Sequence, residues 1–578
     1  MMKLQNNIIP KLKRNAFLLP IGLCFFQNMA QAQHHLTEMV QEPITHADSV
    51  RGNINAPERT WWDVLKYDII VKVDDDAQTI KGSNKITYKV VKDSYPAFMQ
   101  IDLQEPMEID SVIFGESRKL NFTRDGNAFH INVPKQKYLG TGSIEVFFHG
   151  KPKKAVKAPW DGGWVWAKDS LNRPWITVAC QGLGASAWYP CKDVQDDEPN
   201  QGASLSVITK KDLVEVGNGR LKSETTYGNE WKEYTWEVKN PINNYTIVPY
   251  IGYYVPINAT YAGLKGKLDV TLWALDYNKT RAQQHSLPEV MRMLKAFEYW
   301  FGPYPFYEDG YQLVDAPHLG MEHQSAVAYG NHYLNGYLGR DLSGTGQGDK
   351  FDFIIVHESG HEWFANNITS KDIADMWIHE SFTNYSETLF TEYYYGKEAG
   401  QEYCYGIRKN IVNDKPIIGP YNVNREGSGD MYYKGANMIN SIRSAIGDDK
   451  LFREILIGMN KDFYHSTVTS TDIENYINKK SGKDFTSTFQ QYLTTTQIPQ
   501  LEYAFSKEKN KFYFRYVNCL DSFNMPLTLI SKKASLKVIP STKWQSISIS
   551  NGQLEMLNPT NIEFQYYIST KKVAEPEN

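Results

Sequence analysis

Residues 357–361 read HESGH. On an α-helix, residues four apart differ by about 40° round the axis and about 6 Å along it. His357 and His361 therefore face one way and can hold a metal ion between them. Glu358 stands one step round, beside such an ion, where a base must be to take a proton from a bound water. Two imidazoles alone make a weak site, because a catalytic zinc usually has three protein ligands and one open position. Glu380 follows His361 after eighteen intervening residues, in DMWIHESFTNYSE, and is the expected third ligand. A pair of unrelated helix histidines is the alternative. At this composition the whole pattern of two histidines and two spaced acids arises by chance in about four chains per thousand, which favours zinc. Zinc on two histidines and a glutamate lowers the pKa of its water and polarises a carbonyl oxygen. With Glu358 as general base, passing the proton on to a leaving amine, that chemistry is amide hydrolysis.

The first histidine needs a helix, and DKFDFIIVHESGHEWFANN supplies one over 350–366, with Asp349 as its expected cap and Phe353, Ile354 and Ile355 burying its start. A second helix near 375–395 carries Glu380, with Trp377, Phe382, Tyr385 and Leu389 available for packing. SLPEVMRMLKAFEYWFG (286–302) has a Ser cap, an early Pro, a closing Gly and one apolar face, so it reads as an amphipathic helix. Further helical period appears near 398–413 and 430–446, making 256–495 a mainly α block. Before it, YDIIVKV (67–73), NKITYKVV (84–91), HINVPK (130–135), GSIEVFFHG (142–150) and YTWEVKN (234–240) alternate like strands, so 33–255 is expected to be a β-sheet domain behind a polar tail at 33–58. After it, 511–518, 527–533, 535–540, 546–550 and IEFQYYIS (562–569) read as strands of a small β-sandwich over 496–578, with KKVAEPEN a loose end. The fold class expected is therefore α+β and multidomain.

Composition narrows the setting. The chain has 578 residues, 41% apolar and 22% charged, too long for one ordinary core. Its 62 basic and 66 acidic side chains leave a net charge of −4, so no nucleic acid is implied as a partner. Lys3, Lys11, Lys13 and Arg14 precede the short apolar run Ala16–Phe26, and Ala30-Gln31-Ala32 offers a signal-peptidase site. Residues 1–32 thus read as a signal peptide cleaved near Ala32, which implies export to the periplasm or medium and no membrane contact afterwards. An uncleaved anchor is the alternative. Cys24 leaves with the signal. Cys180, Cys191, Cys404 and Cys519 remain, too few for a disulfide scaffold, though an oxidising compartment permits a Cys180–Cys191 bridge.

Four separated motifs, in order, resemble the gluzincin zinc aminopeptidases that include aminopeptidase N and the leukotriene hydrolase. HESGHEWFANNIT (357–369) and WIHESF (377–382) look like the family's zinc helices. GPYPFYEDGYQLVDAPHLGMEHQ (302–324) looks like the segment ending in Gly-x-Met-Glu-Asn. CQGLGASAWYPCKD (180–193) looks like the N-domain loop that reaches the active site, and DMYYKGANMI (430–439) like the Tyr-x-Lys-Gly element. The resemblance implies a saddle-like β domain, a thermolysin-like catalytic domain and one Zn2+ per chain, with peptides bearing a free N-terminus as substrates. It implies that His357, His361 and Glu380 ligate zinc and that Glu358 and Tyr432 are catalytic, Tyr432 donating its phenol to the oxyanion. Glu322 would hold the substrate's α-ammonium, because an exopeptidase must count from the chain end and a fixed anion is a ruler. Gln181 would add a neutral acceptor there, and Gly320 and Met321 would sit on an edge strand pairing with the bound peptide.

The sequence departs from the family at Leu319, His323, His379 and Ser381, and Ser186 stands where Arg is common. These put the first specificity pocket and the surroundings of the third ligand in doubt, and His323 is expected to add a charge titrating near neutral pH without ligating zinc. Many relatives carry a long helical C-terminal domain; a β-rich tail in its place implies a more open cleft. Three other readings stand beside an exported zinc aminopeptidase: a zinc endopeptidase, which does not need Glu322, a lipid epoxide hydrolase, and a non-catalytic peptide binder, against which intact Glu358 speaks.

Overall fold

Alternating apolar residues in the first half pair into twisted sheets. In the computed structural model, which describes residues 43–506, 508, 510–530, 535–549 and 559–576, the largest sheet has eight strands. They are β1 (Trp62–Asp74), β2 (Thr79–Val90), β3 (Glu108–Phe114), β4 (Arg118–Leu120), β5 (Thr141–Gly150), β6 (Ala203–Lys210), β7 (Arg220–Tyr227) and β8 (Trp231–Val238), in the order β7-β8-β6-β1-β2-β5-β3-β4. β1 shows the period-2 burial of a half-covered strand, with Tyr67, Ile69, Val71 and Val73 inward. All five expected strands of this region form, though HINVPK ends as a strand at Asn132. The expected signal segment 1–32 and Cys24 lie outside the described residues.

One correction falls here, and the Cys180–Cys191 alternative is decided. The stretch expected to be a polar tail contains helix α1 (His46–Gly52), started by a capping box between Thr45 and Asp48. Cys180 and Cys191 are both buried as free thiols, not bridged.

From Tyr254 a second, five-stranded sheet takes over: β9 (Tyr254–Gly263), β10 (Gly266–Leu275), β11 (Tyr311–Asp315), β12 (Gly320–Met321) and β13 (Val327–Tyr329), in the order β9-β10-β11-β13-β12. The two-residue β12 is its edge, antiparallel to β13 with Gly320 opposite Tyr329 and Met321 opposite Ala328. Helices accompany it: α2 (Leu287–Phe301), α3 (Phe353–Gly360), α4 (Trp377–Tyr395), α5 (Lys397–Gly406), α6 (Tyr433–Ile446), α7 (Asp449–Asp462), α8 (Ser470–Ser481) and α9 (Thr486–Thr494); α2 packs on β9, and α3 on β12 and β13. Ser286 does not cap α2 with its side chain, because a π-helical turn (Ala282–Ser286) runs straight into it. Asp352, not Asp349, caps α3, accepting from the amides of Ile354 and Ile355; Asp349 belongs to a preceding 3-10 turn.

The C-terminal strands are β14 (Gln500–Ser506), β15 (Lys511–Val517), β16 (Leu527–Ile530), β17 (Ser535–Val538), β18 (Gln545–Ser548) and β19 (Ser569–Lys572). They make a four-stranded sheet, β18-β15-β14-β19, and a β16-β17 hairpin. IEFQYYIS is not a strand. Pro559–Phe564 is a 3-10 helix, and the segment bonds to α6 instead of to a strand: Tyr567 N donates to Ser441 Oγ (2.8 Å) and Asn440 Nδ2 to Gln565 O (2.9 Å). Within KKVAEPEN, Lys571 and Lys572 end β19 and Val573 N donates to Tyr503 O, so this stretch is tied to the sheet. Among the described residues no helix is long and apolar enough to cross a membrane.

Candidate metal centre and active site

Helix α3 carries His357 and stops at Gly360, so that His361 opens a kinked turn over Glu362–Asn366. In that turn Ala365 has φ 148°, a region costly for a residue with a Cβ. The deviation points the Phe364 carbonyl at the ring of His361, 3.0 Å from Nδ1, while Thr383 Oγ1 lies 3.1 Å from the same nitrogen. His357 Nδ1 is 2.7 Å from Glu387 Oε1. Both rings are thus held by Nδ1, leaving both Nε2 atoms free. The rings lie 5.0 Å apart and face Glu380 on α4, whose Oε2 is 3.6 Å from His357 Nε2 and 3.4 Å from His361 Nε2.

These three residues offer ligand atoms within 4.8 Å of one another, and all are buried. Glu380 Oε2 is buried without a hydrogen-bond partner, aimed into the gap between the imidazoles. An orphaned carboxylate oxygen facing two free imidazole nitrogens is a donor set that fits a zinc ion. Although burial pushes the Glu380 carboxyl up, the charges of His361 and His357 beside it hold it well below the usual range.

Glu358 sits beside the trio. Its neighbour is the edge strand β12: a Cβ added at Gly320 would come within 2.5 Å of Glu358 Oε1, so only glycine lets the carboxylate stand there. Burial pushes its pKa up to about 7, against the pull of the two imidazoles. Glu322, Glu358 and His361 also offer ligand atoms within 4.8 Å of one another, which puts both carboxylates at the metal position's edge. Glu322 Oε1 accepts from Gln181 Nε2 (2.6 Å) and from the Tyr245 hydroxyl (2.7 Å). Gln181 Nε2 is also 3.5 Å from Glu380 Oε1, so the loop 180–184 reaches from the β domain to the third carboxylate. Tyr432 precedes α6 and stacks on His357, with centroids 6.0 Å apart.

Eight of the nine sequence-derived residues therefore gather around one point, and Met321 follows Gly320 on the edge strand. The departures find work nearby. His379 Nε2 accepts the Ser370 amide, and burial keeps the ring neutral, at about 3. Ser381 Oγ donates to Met431 O, next to Tyr432. The expectation for His323 fails: the ring is fully buried, with Nδ1 2.5 Å from the Tyr250 hydroxyl, and burial drives its pKa well below the usual value, so it carries no charge near pH 7. Sequence reasoning missed Tyr245, Glu387, Thr383 and Glu426. Glu426 is half-buried on the loop before Tyr432, pushed up to about 7 by burial and by the charges of Glu380 and Glu322. Glu387 was accessible to inspection, seven residues after Glu380 on the same helix.

Comparison with known proteins agrees with this geometry. Residues 64–246 match the peptidase M1 N-terminal domain and residues 285–492 the peptidase family M1 domain. "Probable aminopeptidase 2" of Sulfurisphaera tokodaii is 22% identical over 437 residues, 71% of this chain and 53% of the relative. "Aminopeptidase N" of Lactococcus lactis is 23% identical over 459 residues, 75% of this chain and 51% of the relative. The chain thus spans about half the length of the curated relatives it matches. The crystal structure of an M1 zinc metallopeptidase from Deinococcus radiodurans superposes with a TM-score of 0.64 at 17% identity, covering 78% of this chain and 98% of that one. A mutant of it was solved bound to a Tyr-Ser-Ala substrate, with a TM-score of 0.62 over 77% of this chain and 97% of that one. At such identity these likenesses show the fold. The two family matches, N-terminal domain then peptidase domain, together cover more than half of the residues, and the chain belongs to peptidase family M1.

Proposed function

We propose that the protein is a zinc aminopeptidase that removes N-terminal residues from peptides. The observation that carries the reading is Glu322: a buried carboxylate, fixed by Gln181 and Tyr245, at the edge of the His357–His361–Glu380 trio. A peptide's α-ammonium seated there would bring its first amide carbonyl to the metal position and exclude chains with a blocked end. His357, His361 and Glu380 would hold one zinc, which supplies a Lewis acid and an activated water. Glu358 takes the proton of the attacking water and returns it to the leaving amine. Tyr432 donates to the oxygen that gains charge as the carbonyl becomes tetrahedral. Gly320 and Met321, on the sheet edge, pair their backbone with the extended peptide.

An endopeptidase would share the trio and Glu358 without needing Glu322. A peptide and its N-acetylated twin, each assayed with and without a chelator, separate the readings. Cleavage of the free-amine peptide alone, abolished by the chelator, is expected; equal cleavage of both twins would overturn an aminopeptidase. We also propose export after cleavage near Ala32, supported by the basic start and the small residues Ala30 and Ala32. N-terminal sequencing of protein recovered outside the cytoplasm, giving Gln33 first, is the expected outcome.

A further inference from the structure

Helix α1 reaches the loop that follows Gln181. Its Arg51 is 7% exposed and points into the loop that follows Gln181. Nη2 donates to Gly182 O (3.2 Å), Nη1 donates to Leu183 O, and Nη1 lies 3.3 Å from Asp193 Oδ2. One planar guanidinium therefore collects three acceptors of the 182–193 segment, a task its fixed fork of donors suits and an ammonium does not. Gly184, with φ +94°, is required for this: a Cβ there would overlap both the Asp193 carboxylate and the Arg51 guanidinium. Position 186, one of the departures from the family, is a serine whose Oγ donates 2.5 Å to that same Asp193 Oδ2, so positive charge reaches the carboxylate from α1.

The peptidase half grips the same carbonyl. Asn424 Nδ2 donates to Gly182 O (2.9 Å), its amide donates to Asp48 O (3.4 Å), and Asn55 Nδ2 donates to Asn422 Oδ1 (2.7 Å). Gly52 packs so closely on Val423 and Asn424 that no side chain fits between them. Behind, Arg59 donates to Arg51 O and pairs with Asp102, 2.6 Å away and fully buried, and Asp102 accepts the Asp193 amide. Residues 45–59 are thus stitched to both loops that flank Gln181, and Gln181 spans from there to Glu322.

We infer that Arg51 is a positioning residue of the substrate-amine pocket: by fixing the carbonyls of Gly182 and Leu183 it aims Gln181 at Glu322. The inference rests on the reading of Gln181 and Glu322 given above, and a double-mutant cycle separates the two. Steady-state kinetics on an aminoacyl p-nitroanilide would be measured for Arg51→Ala, Gln181→Ala and the double variant, with thermal melts to confirm folding. Each single change should raise KM about 10-fold with kcat within about 3-fold, since small misplacements of a binding group are costly. Because both act through one side chain, the double variant should be no worse than the worse single one. Independent effects, multiplying to about 100-fold, or an unchanged KM in Arg51→Ala, would overturn the inference. An unchanged KM in Gln181→Ala would overturn the amine-pocket reading itself. Should Arg51→Ala fail to fold, Arg51→Lys, which keeps the charge and loses the fork, enters the same cycle with the same outcomes.

Discussion

Glu358 shows how little freedom a general base has. It is held next to the ligand pair by chain connectivity and next to the edge strand by the missing side chain of Gly320. Glu358→Gln keeps the shape and removes the base, so turnover should fall by about 10³-fold or more while zinc content by atomic absorption stays near one per chain. Loss of metal together with activity would show that Glu358 ligates. Tyr432 is expected to act only when the carbonyl becomes tetrahedral, so Tyr432→Phe should lower kcat by about 10²–10³-fold and leave KM within about 3-fold. A matching rise in KM would instead mark it as a ground-state contact. At this scale the sequence was informative where spacing is local: HESGH and its acid at 380 define each other's geometry. It was silent on Tyr245, whose partner Glu322 is 77 residues away, because nothing in a tyrosine's neighbourhood reports a contact made by tertiary packing.

Helix α4 does more than present a ligand. Glu380, Thr383 and Glu387 recur at spacings of three, four and seven, so one face of two turns carries the third carboxylate and the acceptors that orient both imidazoles. Glu387→Gln should therefore weaken zinc binding by about 10–100-fold in a chelator competition, with activity recovered at saturating zinc. An unchanged zinc affinity would mean the ring of His357 is oriented by packing alone, for example by its stack on Phe353, 5.2 Å away. The helices that build the site were legible because their apolar period was long and flanked by stops such as Gly302 and Gly396. Their ends were less so. Asp349 and Asp352 are both plausible caps in sequence, and only the contacts of Asp352 with Tyr329, Asn331 and His285 decide between them. IEFQYYIS has strand composition, yet its backbone is claimed by α6, a tertiary preference that composition does not carry.

On the scale of the whole molecule, the change from period-2 to helical patterning and back gives the order of β, α and β regions away, while the contacts that join them stay hidden in single residues far apart. Glu198 is one of these. It lies on the β side, 8% exposed, and accepts 2.6 Å from Thr369 Oγ1, just beyond the turn that carries His361. Burial pushes its carboxyl up to about 8, against hydrogen bonds from Thr369 and Asn243, where an open chain would titrate near 4.5. Between these values the folded protein keeps a proton that the unfolded chain has lost. The group's favourable contribution is thus full below pH 4.5 and is lost as pH rises through about 8. The slope inside that window approaches about 1.4 kcal/mol per pH unit. Glu198→Gln resembles the protonated acid and does not titrate. The melting temperature of Glu198→Gln minus that of the parent should therefore increase from pH 5 to pH 9 and level off above it, since titrating groups that do not interact with Glu198 cancel in the difference. A difference that does not change with pH would mean that Glu198 is ionised in the fold and that the seam between the two halves holds a compensated charge.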